Sequence, residues 1–250
     1  MSKNKYYNPD LDLSISTEYD YPDEIITIND NLPIISSYIF CVAPPKSGKT
    51  LMTMNFCHKV KPVFKKRIVI FTQNLCNTLW KNAEKLGASL YTSFLDENGI
   101  DRIDKILEFQ FQHKLRGEKL KHILIILDDC ANNKMFDKRK SSLSKLFTEG
   151  RHYNITTWIN LQKPTQINPI VRDNAMYKIY FKSTPRDTER IIKEDNFWMT
   201  EEEFERVLKE ATKKHDYLFI DLEKRLMRRN FNGEILSKEC KEQNNLTEQK

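Results

Sequence analysis

Three common features are missing from this chain of 250 residues, and each absence excludes a class of protein. There is no C-x-x-C pair, no apolar leader in residues 1–20 and no apolar run long enough to cross a membrane. The cysteines are Cys41, Cys57, Cys76, Cys130 and Cys240. We therefore expect reduced thiols in a cytosol-like compartment, no zinc site, no cleaved signal peptide and no membrane partner.

A strong charge of either sign is also missing, since 41 Lys and Arg stand against 35 Asp and Glu, a net charge of +6. This balance is compatible with a polyanion partner but does not by itself indicate one. The length suits one sizeable α/β domain with short appendages. We expect a flexible arm over residues 1–23, one folded domain over 24–236 and a disordered tail over 237–250, because both ends are polar and aperiodic.

Glycine is scarce, at 6 residues, yet one glycine lies in the most informative stretch, the octamer APPKSGKT at residues 43–50. This octamer follows a short apolar run and has the Walker A form, in which a strand turns into a helix and backbone N–H groups surround a phosphate. Lys49 is expected to reach the β- and γ-phosphates of ATP, and the Thr50 hydroxyl to ligate Mg²⁺. The residues expected to bind the nucleotide are Pro45, Lys46, Ser47, Gly48, Lys49 and Thr50.

Two residues of the octamer depart from the usual pattern. Ala43 and Lys46 stand where glycine is common, and each brings a Cβ into the loop. The octamer alone is also compatible with an ordinary turn, so its interpretation depends on the rest of the chain.

A second motif, ILIILDD at residues 123–129, has the Walker B form of a buried strand that ends in two carboxylates. Adjacent charges at the tip of an apolar strand must be solvated or paired. Beside a Walker A loop, Asp128 is expected to hold Mg²⁺ through water, and Asp129 to orient or deprotonate the attacking water. A solvated strand end is the simpler alternative, and the upstream octamer argues against it.

The remaining pattern predicts further strands and helices. A helix after the octamer should bury Leu51 among other apolar residues and end at Pro62. Further helices are expected over residues 77–86 and 103–115. Basic residues at positions 134–145 could contact a phosphate backbone or form a solvated loop.

By Gln162, at the end of the strand predicted over residues 155–162, the chain resembles the FtsK-HerA superfamily of DNA-pumping ATPases. Within it, the chain looks most like the genome-packaging ATPases of poxviruses, giant viruses and virophages. The resemblance rests on residues 43–50, on LIILDD at 124–129, on GRHYNITTWINLQKP at 150–164 and on INPIVRDNAMYKIYFK at 167–182. It implies an α/β, RecA-like fold, a mainly parallel sheet of order 5-1-4-3-2 with helices on both faces.

The resemblance also assigns roles. Asp129 matches a catalytic acid that is Glu in many relatives, and Gln162 matches a sensor of the γ-phosphate. Arg151 matches an arginine presented to the nucleotide of a neighbouring subunit, where it would stabilise developing charge. Arg151 could instead pair with a local acid at a helix end. Arg172 is a second candidate for the arginine in trans.

The family implies a double-stranded DNA translocase that packages a viral genome, with ATP and Mg²⁺ as cofactors and hydrolysis at the interfaces of a homo-oligomeric ring. Its implied partners are DNA, other copies of the chain and capsid vertex proteins, and its implied location is the virion and the viral factory in the host cytoplasm. Two alternatives stay open: a P-loop nucleoside or nucleotide kinase, and a nucleotide-bound virion scaffold. The paired carboxylates argue against a scaffold, because mere binding needs only the metal-side acid.

Overall fold

The computed structural model describes residues 31–74, 78–130 and 141–238, and within these ranges the chain forms one nine-stranded sheet. The strands are β1 (Tyr38–Val42), β2 (Ile68–Thr72), β3 (Ala88–Tyr91), β4 (Ile123–Asp128), β5 (Ile155–Leu161), β6 (Tyr177–Phe181), β7 (Tyr217–Asp221), β8 (Leu226–Arg229) and β9 (Ile235–Lys238). Their order across the sheet is β3-β2-β4-β5-β1-β6-β7-β8-β9.

The first six strands pair in parallel, and the last three continue the sheet in antiparallel fashion. Without the edge strand β3, the parallel part has the order β6-β1-β5-β4-β2, which is 5-1-4-3-2 when these strands are numbered consecutively. The predicted fold class is therefore confirmed. The sheet has four strands beyond these five: β3 lies at one edge, and β7, β8 and β9 continue the other.

Helices cover both faces of the sheet, as predicted. They are α1 (Lys49–Phe64), α2 (Thr78–Lys81), α3 (Arg102–Leu115), α4 (Ser142–Glu149), α5 (Pro169–Asp173), α6 (Pro185–Asp195) and α7 (Glu201–Ala211). Alternate residues of β1 enter different cores: Phe40 packs in the cluster that includes α3, α4, α6 and α7, and Cys41 in the cluster with α1 and α2. Burial on both faces explains why the parallel strands are continuous apolar runs.

The helix after the octamer differs from its prediction in two ways. It continues past Pro62 to Phe64, and its last turn closes when the Lys65 N–H donates to the Lys61 carbonyl over 2.7 Å. Leu51, expected in the core, is 51% exposed, whereas Met52 is 8% exposed. Successive helical residues point about 100° apart, so burying Met52 turns Leu51 outward.

The helix predicted over residues 77–86 is broken. It consists of α2 and a 3₁₀ turn at Ala83–Leu86, after which Gly87 adopts a left-handed φ of 75° and leads into β3. The predicted helix over residues 103–115 is confirmed as α3, whose N-cap Asp101 accepts from the N–H groups of Ile103 and Asp104.

Of the predicted arm, tail and basic loop taken together, the structure describes only a part. Strand β9 runs to Lys238, so the first two residues of the tail predicted from 237 belong to the sheet. The predicted arm at 1–23 and most of the basic loop at 134–145 lie outside the described residues. Within the described ranges, none of the helices combines the length and apolar character that a membrane span requires.

Candidate nucleotide-binding site

The predicted site residues of the octamer, of β4 and of the end of β5 lie at the edge of the sheet where the parallel strands end, here called the carboxyl edge. The register aligns Val42 of β1 with Leu161 of β5, and Asp128 of β4 with Asn160 of β5. The octamer, the paired carboxylates and Gln162 follow these strands directly. The carboxyl edge of a parallel α/β sheet is where ligands usually bind.

The octamer forms a loop from β1 into α1, and its two unusual residues differ in how well they suit their positions. Ala43 is fully buried directly after β1, and its N–H continues the pairing with β5 by donating to the Leu161 carbonyl over 2.9 Å. A side chain there packs in the core. Lys46 has a φ of 62°, a left-handed conformation that glycine adopts at lower cost, which accounts for the usual glycine at this position.

The tip of the loop has the features of an anion site. Gly48 adopts a φ of 100° and precedes α1, whose first N–H groups have no partner within the helix. The Ser47 Oγ is buried and has no hydrogen-bond partner in the described part of the chain. A helix N-terminus and an unpaired hydroxyl that face the same loop fit a phosphate group.

Lys49 begins α1, and its side chain is 7% exposed. Its ammonium contacts the Oδ1 of Asp129, whose side chain is 34% exposed. Asp129 has a φ of 53°, so the chain turns sharply after β4 and directs this carboxylate toward the loop. The structure thus brings together the two residues that were predicted to act on the γ-phosphate and on water.

Asp128 is 3% exposed, and both of its carboxylate oxygens accept hydrogen bonds. The Asn160 Nδ2 donates to Oδ1 and the Trp80 Nε1 donates to Oδ2, each over 2.8 Å. Burial raises the pKa of Asp128, and these two hydrogen bonds act against that increase. One N–H donor on each oxygen leaves lone pairs for a magnesium-bound water, so the residue fits its predicted role.

Asn160 is a site residue that the sequence interpretation missed. Its side chain is fully buried, and Nδ2 also lies 3.0 Å from the Oγ1 of Thr53 in α1. Its Oδ1 accepts from the Trp158 indole over 2.7 Å. A buried asparagine near the end of an apolar strand was a visible signal, because a buried amide must find partners. Trp80 carried no such signal, since a tryptophan in a helix usually indicates core packing.

Gln162 lies one residue beyond β5 and is half-buried. Its backbone N–H donates to the Gln166 Oε1 over 2.8 Å, which holds the chain as it leaves the strand. Gln162 therefore reaches the predicted edge, but within the described residues the amide that contacts Asp128 belongs to Asn160.

Arg151 lies at the other end of β5, in the 3₁₀ turn Gly150–Tyr153. Because β5 has seven residues and a strand rises about 3.3 Å per residue, Arg151 begins roughly 20 Å from the carboxyl edge. Its backbone N–H donates to the Tyr38 hydroxyl over 2.9 Å, and its side chain is exposed without an ion pair to any described residue. Arg172, in contrast, pairs with Glu194 and is 14% exposed.

The residues at the carboxyl edge fit ATP and Mg²⁺. The loop offers unpaired donors to phosphates, and the hydroxyl of Thr50 and the carboxylate of Asp128 are the hard oxygen ligands that Mg²⁺ prefers. Mg²⁺ sites for nucleotides characteristically combine one or two such protein groups with phosphate oxygens.

The phosphate loop, the paired carboxylates and the parallel sheet that holds them define a P-loop ATPase. Residues 39–226 match the model of the family described as Poxvirus A32 protein, and the chain belongs to that family. It is also 26% identical over 133 residues to the uncharacterized protein L437 of Acanthamoeba polyphaga mimivirus. That alignment covers 52% of this chain and 47% of the relative, so the chain matches about half the length of this curated relative.

Solved structures share the fold. The DNA-packaging ATPase B204 of Sulfolobus turreted icosahedral virus matches with a TM-score of 0.57 and 17% identity, over 78% of this chain and 97% of its own. The genome-packaging NTPase B204 of Sulfolobus turreted icosahedral virus 2, in complex with ATP-gammaS, gives 0.54 and 18% over the same shares. The pCW3 conjugation coupling protein TcpA gives 0.50 and 15%, over 74% of this chain and 57% of its own. The predicted resemblance to proteins of poxviruses and giant viruses is confirmed, and the viral packaging ATPases and the coupling protein share the fold.

Proposed function

We propose that this protein is an ATP-driven translocase of double-stranded DNA that packages a viral genome into a capsid. It works as a homo-oligomeric ring in which each ATP is hydrolysed at an interface between subunits. Its partners are duplex DNA, other copies of the chain and proteins of the capsid vertex. Its place of action is the viral factory and the assembling virion.

The observation that carries the ring is the position of Arg151. It is an exposed arginine roughly 20 Å from the carboxyl edge of its own sheet, a distance that a side chain cannot cover. The edge of the sheet where the parallel strands begin is here called the amino edge. In a ring, the amino edge of one subunit can lie beside the nucleotide of the next. Arg151 then supplies the positive charge that stabilises the transferring phosphoryl group in trans.

Within one subunit, the loop at residues 45–50 holds the phosphates and Lys49 contacts their β- and γ-oxygens. Thr50 would ligate Mg²⁺ and Asp128 would hold it through water, and the ion would neutralise charge that develops on the phosphates. Asp129 orients the attacking water and accepts its proton while ADP leaves. Gln162 senses the γ-phosphate, and Asn160 keeps Asp128 aligned with α1.

The ion pair between Lys49 and Asp129 determines the order of the catalytic events. Asp129 cannot act as a base while the ammonium group of Lys49 holds it. An arriving γ-phosphate competes for Lys49 and so releases Asp129, which couples substrate binding to activation of the base.

The direct test is an ATPase assay with and without duplex DNA, read beside the mass of the particle in solution. We expect hydrolysis that DNA stimulates several-fold, in a species that is a multiple of the 29.8 kDa chain. Transfer of phosphate from ATP to a nucleoside or nucleotide by a monomer would support the kinase instead. Nucleotide binding without hydrolysis, with or without DNA, would support the scaffold.

A further inference from the structure

A cavity of about 1030 Å³ opens directly beside the phosphate loop. Lys46, Ser47 and Gly48 line one end of it, the outward face of α1 forms its floor, and the turn between β8 and β9 closes the far side. Its size is at the upper end for pockets that hold a small organic ligand. The cavity is therefore continuous with the proposed phosphate site and large enough for the rest of a nucleotide.

The floor of the cavity presents an apolar side chain followed by polar ones. Leu51, 51% exposed, comes three residues after Gly48 and lines the cavity with Asn55, one helical turn or about 6 Å further on. The side chains of Asn55 and His58 are exposed and make no hydrogen bond within the described residues. This face offers an apolar surface near the phosphates and unused amide and imidazole groups beyond it.

The opposite wall is rigid. Phe231 is 9% exposed, and its ring lies 5.1 Å from that of Phe219 and 5.5 Å from that of Tyr217, measured between centroids. Asn230 links the turn between β8 and β9 to β7, since its Oδ1 accepts from the Tyr217 N–H over 3.1 Å. Gly233 allows the tight turn, because a Cβ there would lie 1.8 Å from the Arg229 carbonyl oxygen. These contacts form within the protein itself, so this side of the cavity is preformed without a ligand.

From this geometry we propose that the cavity holds the nucleoside of the bound nucleotide, with an adenine base packed on Leu51. The Asn55 amide pairs with the edge of the base, because an amide offers the donor and acceptor that match the exocyclic amine and ring nitrogen of adenine. The proposal rests on the proposed function, since it places the phosphates of the same ligand in the loop. It also explains why an apolar residue of α1 is left exposed.

The experiment compares two ligands that share the phosphates and differ in the nucleoside. Calorimetric titration of the full chain with ATP and with inorganic tripolyphosphate separates the contribution of the cavity from that of the loop. Leu51→Ser should weaken ATP on the order of tenfold, the loss of one buried aliphatic contact, and leave the affinity for tripolyphosphate unchanged. Leu115→Ser is the matched control, because Leu115 is 65% exposed at the end of α3, and it should change neither affinity.

A second variant tests the choice of base. Asn55→Ala, at an exposed position, should reduce the preference of the protein for ATP over GTP without changing its unfolding temperature. Wild-type protein that binds ATP and GTP equally would overturn the adenine assignment. Equal losses of ATP and tripolyphosphate affinity in Leu51→Ser, or no loss of either, would overturn the cavity as the nucleoside site. Wild-type protein that binds neither ligand would contradict the proposed function itself.

Discussion

The two edges of the parallel sheet differ in how their charged residues are held. At the carboxyl edge, Lys49 contacts Asp129, and Asp128 accepts from two buried N–H groups. At the amino edge, Arg151 is exposed and without an ion pair in the described part of the chain. One edge is cross-linked and largely buried, and the other presents an exposed positive charge. Under the proposed function, a single chain carries both parts of a shared site but cannot bring them together.

The same contrast separates the two candidate arginines. Arg172 pairs with Glu194, which also pairs with Arg190, so a move toward another subunit would break a local network. Arg151 forms no such ion pair with the residues that the structure describes. We therefore assign the proposed role in trans to Arg151.

The largest expected effect comes from the carboxyl edge. Lys49→Ala should abolish ATP hydrolysis, with or without DNA, because the variant lacks the ammonium group that contacts the phosphates. Circular dichroism should show an intact fold, since Asp129 is partly exposed and water can replace its lost partner. Lys66→Ala, an exposed lysine before β2, is the control and should keep full activity. A Lys49→Ala protein that hydrolyses ATP at the normal rate would refute the assignment of the site.

The amino edge should be nearly as important, provided that subunits meet. Arg151→Ala should lower kcat on the order of 1000-fold, the effect of removing an arginine from phosphoryl transfer. Arg172→Ala should keep most of the activity.

Mixing the two inactive proteins then tests whether the edges cooperate. A mixture of Lys49→Ala and Arg151→Ala subunits should recover activity, because an interface between an intact carboxyl edge and an intact Arg151 forms in some rings. If no ratio of the two restores hydrolysis, the proposed role of Arg151 in trans is wrong and a self-contained enzyme, such as a kinase, is favoured.

A smaller effect is expected within the buried network. Trp80→Phe removes the indole N–H that donates to Asp128 and keeps most of the ring. The concentration of Mg²⁺ needed for half-maximal hydrolysis should rise about tenfold, as is common when a partner that orients a metal ligand is lost. Trp198→Phe, on the other face of the sheet, should leave this concentration unchanged. Were Trp80→Phe to lower only the unfolding temperature, Trp80 would be a packing residue and no more.

The smallest effect concerns a loop at the carboxyl edge, between β3 and α3. The hydrogen bond from Lys105, with those from the Ile100 and Asn98 N–H groups, lowers the pKa of Asp96 to about 2. An aspartate in an unfolded chain has a pKa of about 3.9, so Asp96 stabilises the fold above that pH and loses this contribution as the pH falls toward 2.

Asp96→Asn should accordingly show a shallower fall of the unfolding temperature between pH 4 and pH 2 than wild type. Asp173→Asn, at an exposed position, should follow the wild-type curve. Identical curves for all three proteins would mean that Asp96 makes no net contribution to stability.

The site residues that could be predicted from the sequence differ in a physical respect from those that could not. Lys49, Asp128 and Asp129 could be predicted because each stands in a local pattern whose chemistry depends on adjacent residues. Asn160 could have been predicted from its burial in an apolar strand. The role of Trp80 could not be predicted, because its contact with Asp128 joins residues 48 positions apart. Trp80 also lies in a broken helix, which the sequence pattern had predicted to be continuous.

The sequence by itself determined three features: a phosphate loop that follows a strand, a buried strand with two terminal carboxylates, and an α/β alternation that favours a parallel sheet. These follow from short-range chemistry: left-handed turns, apolar runs and charges that need partners. The tertiary structure decided that Leu51 faces a cavity, that Trp80 and Asn160 hold Asp128, and that Arg151 lies at the far edge from the loop. Those features depend on strand order and helix rotation, which are set by the packing of segments distant in the chain.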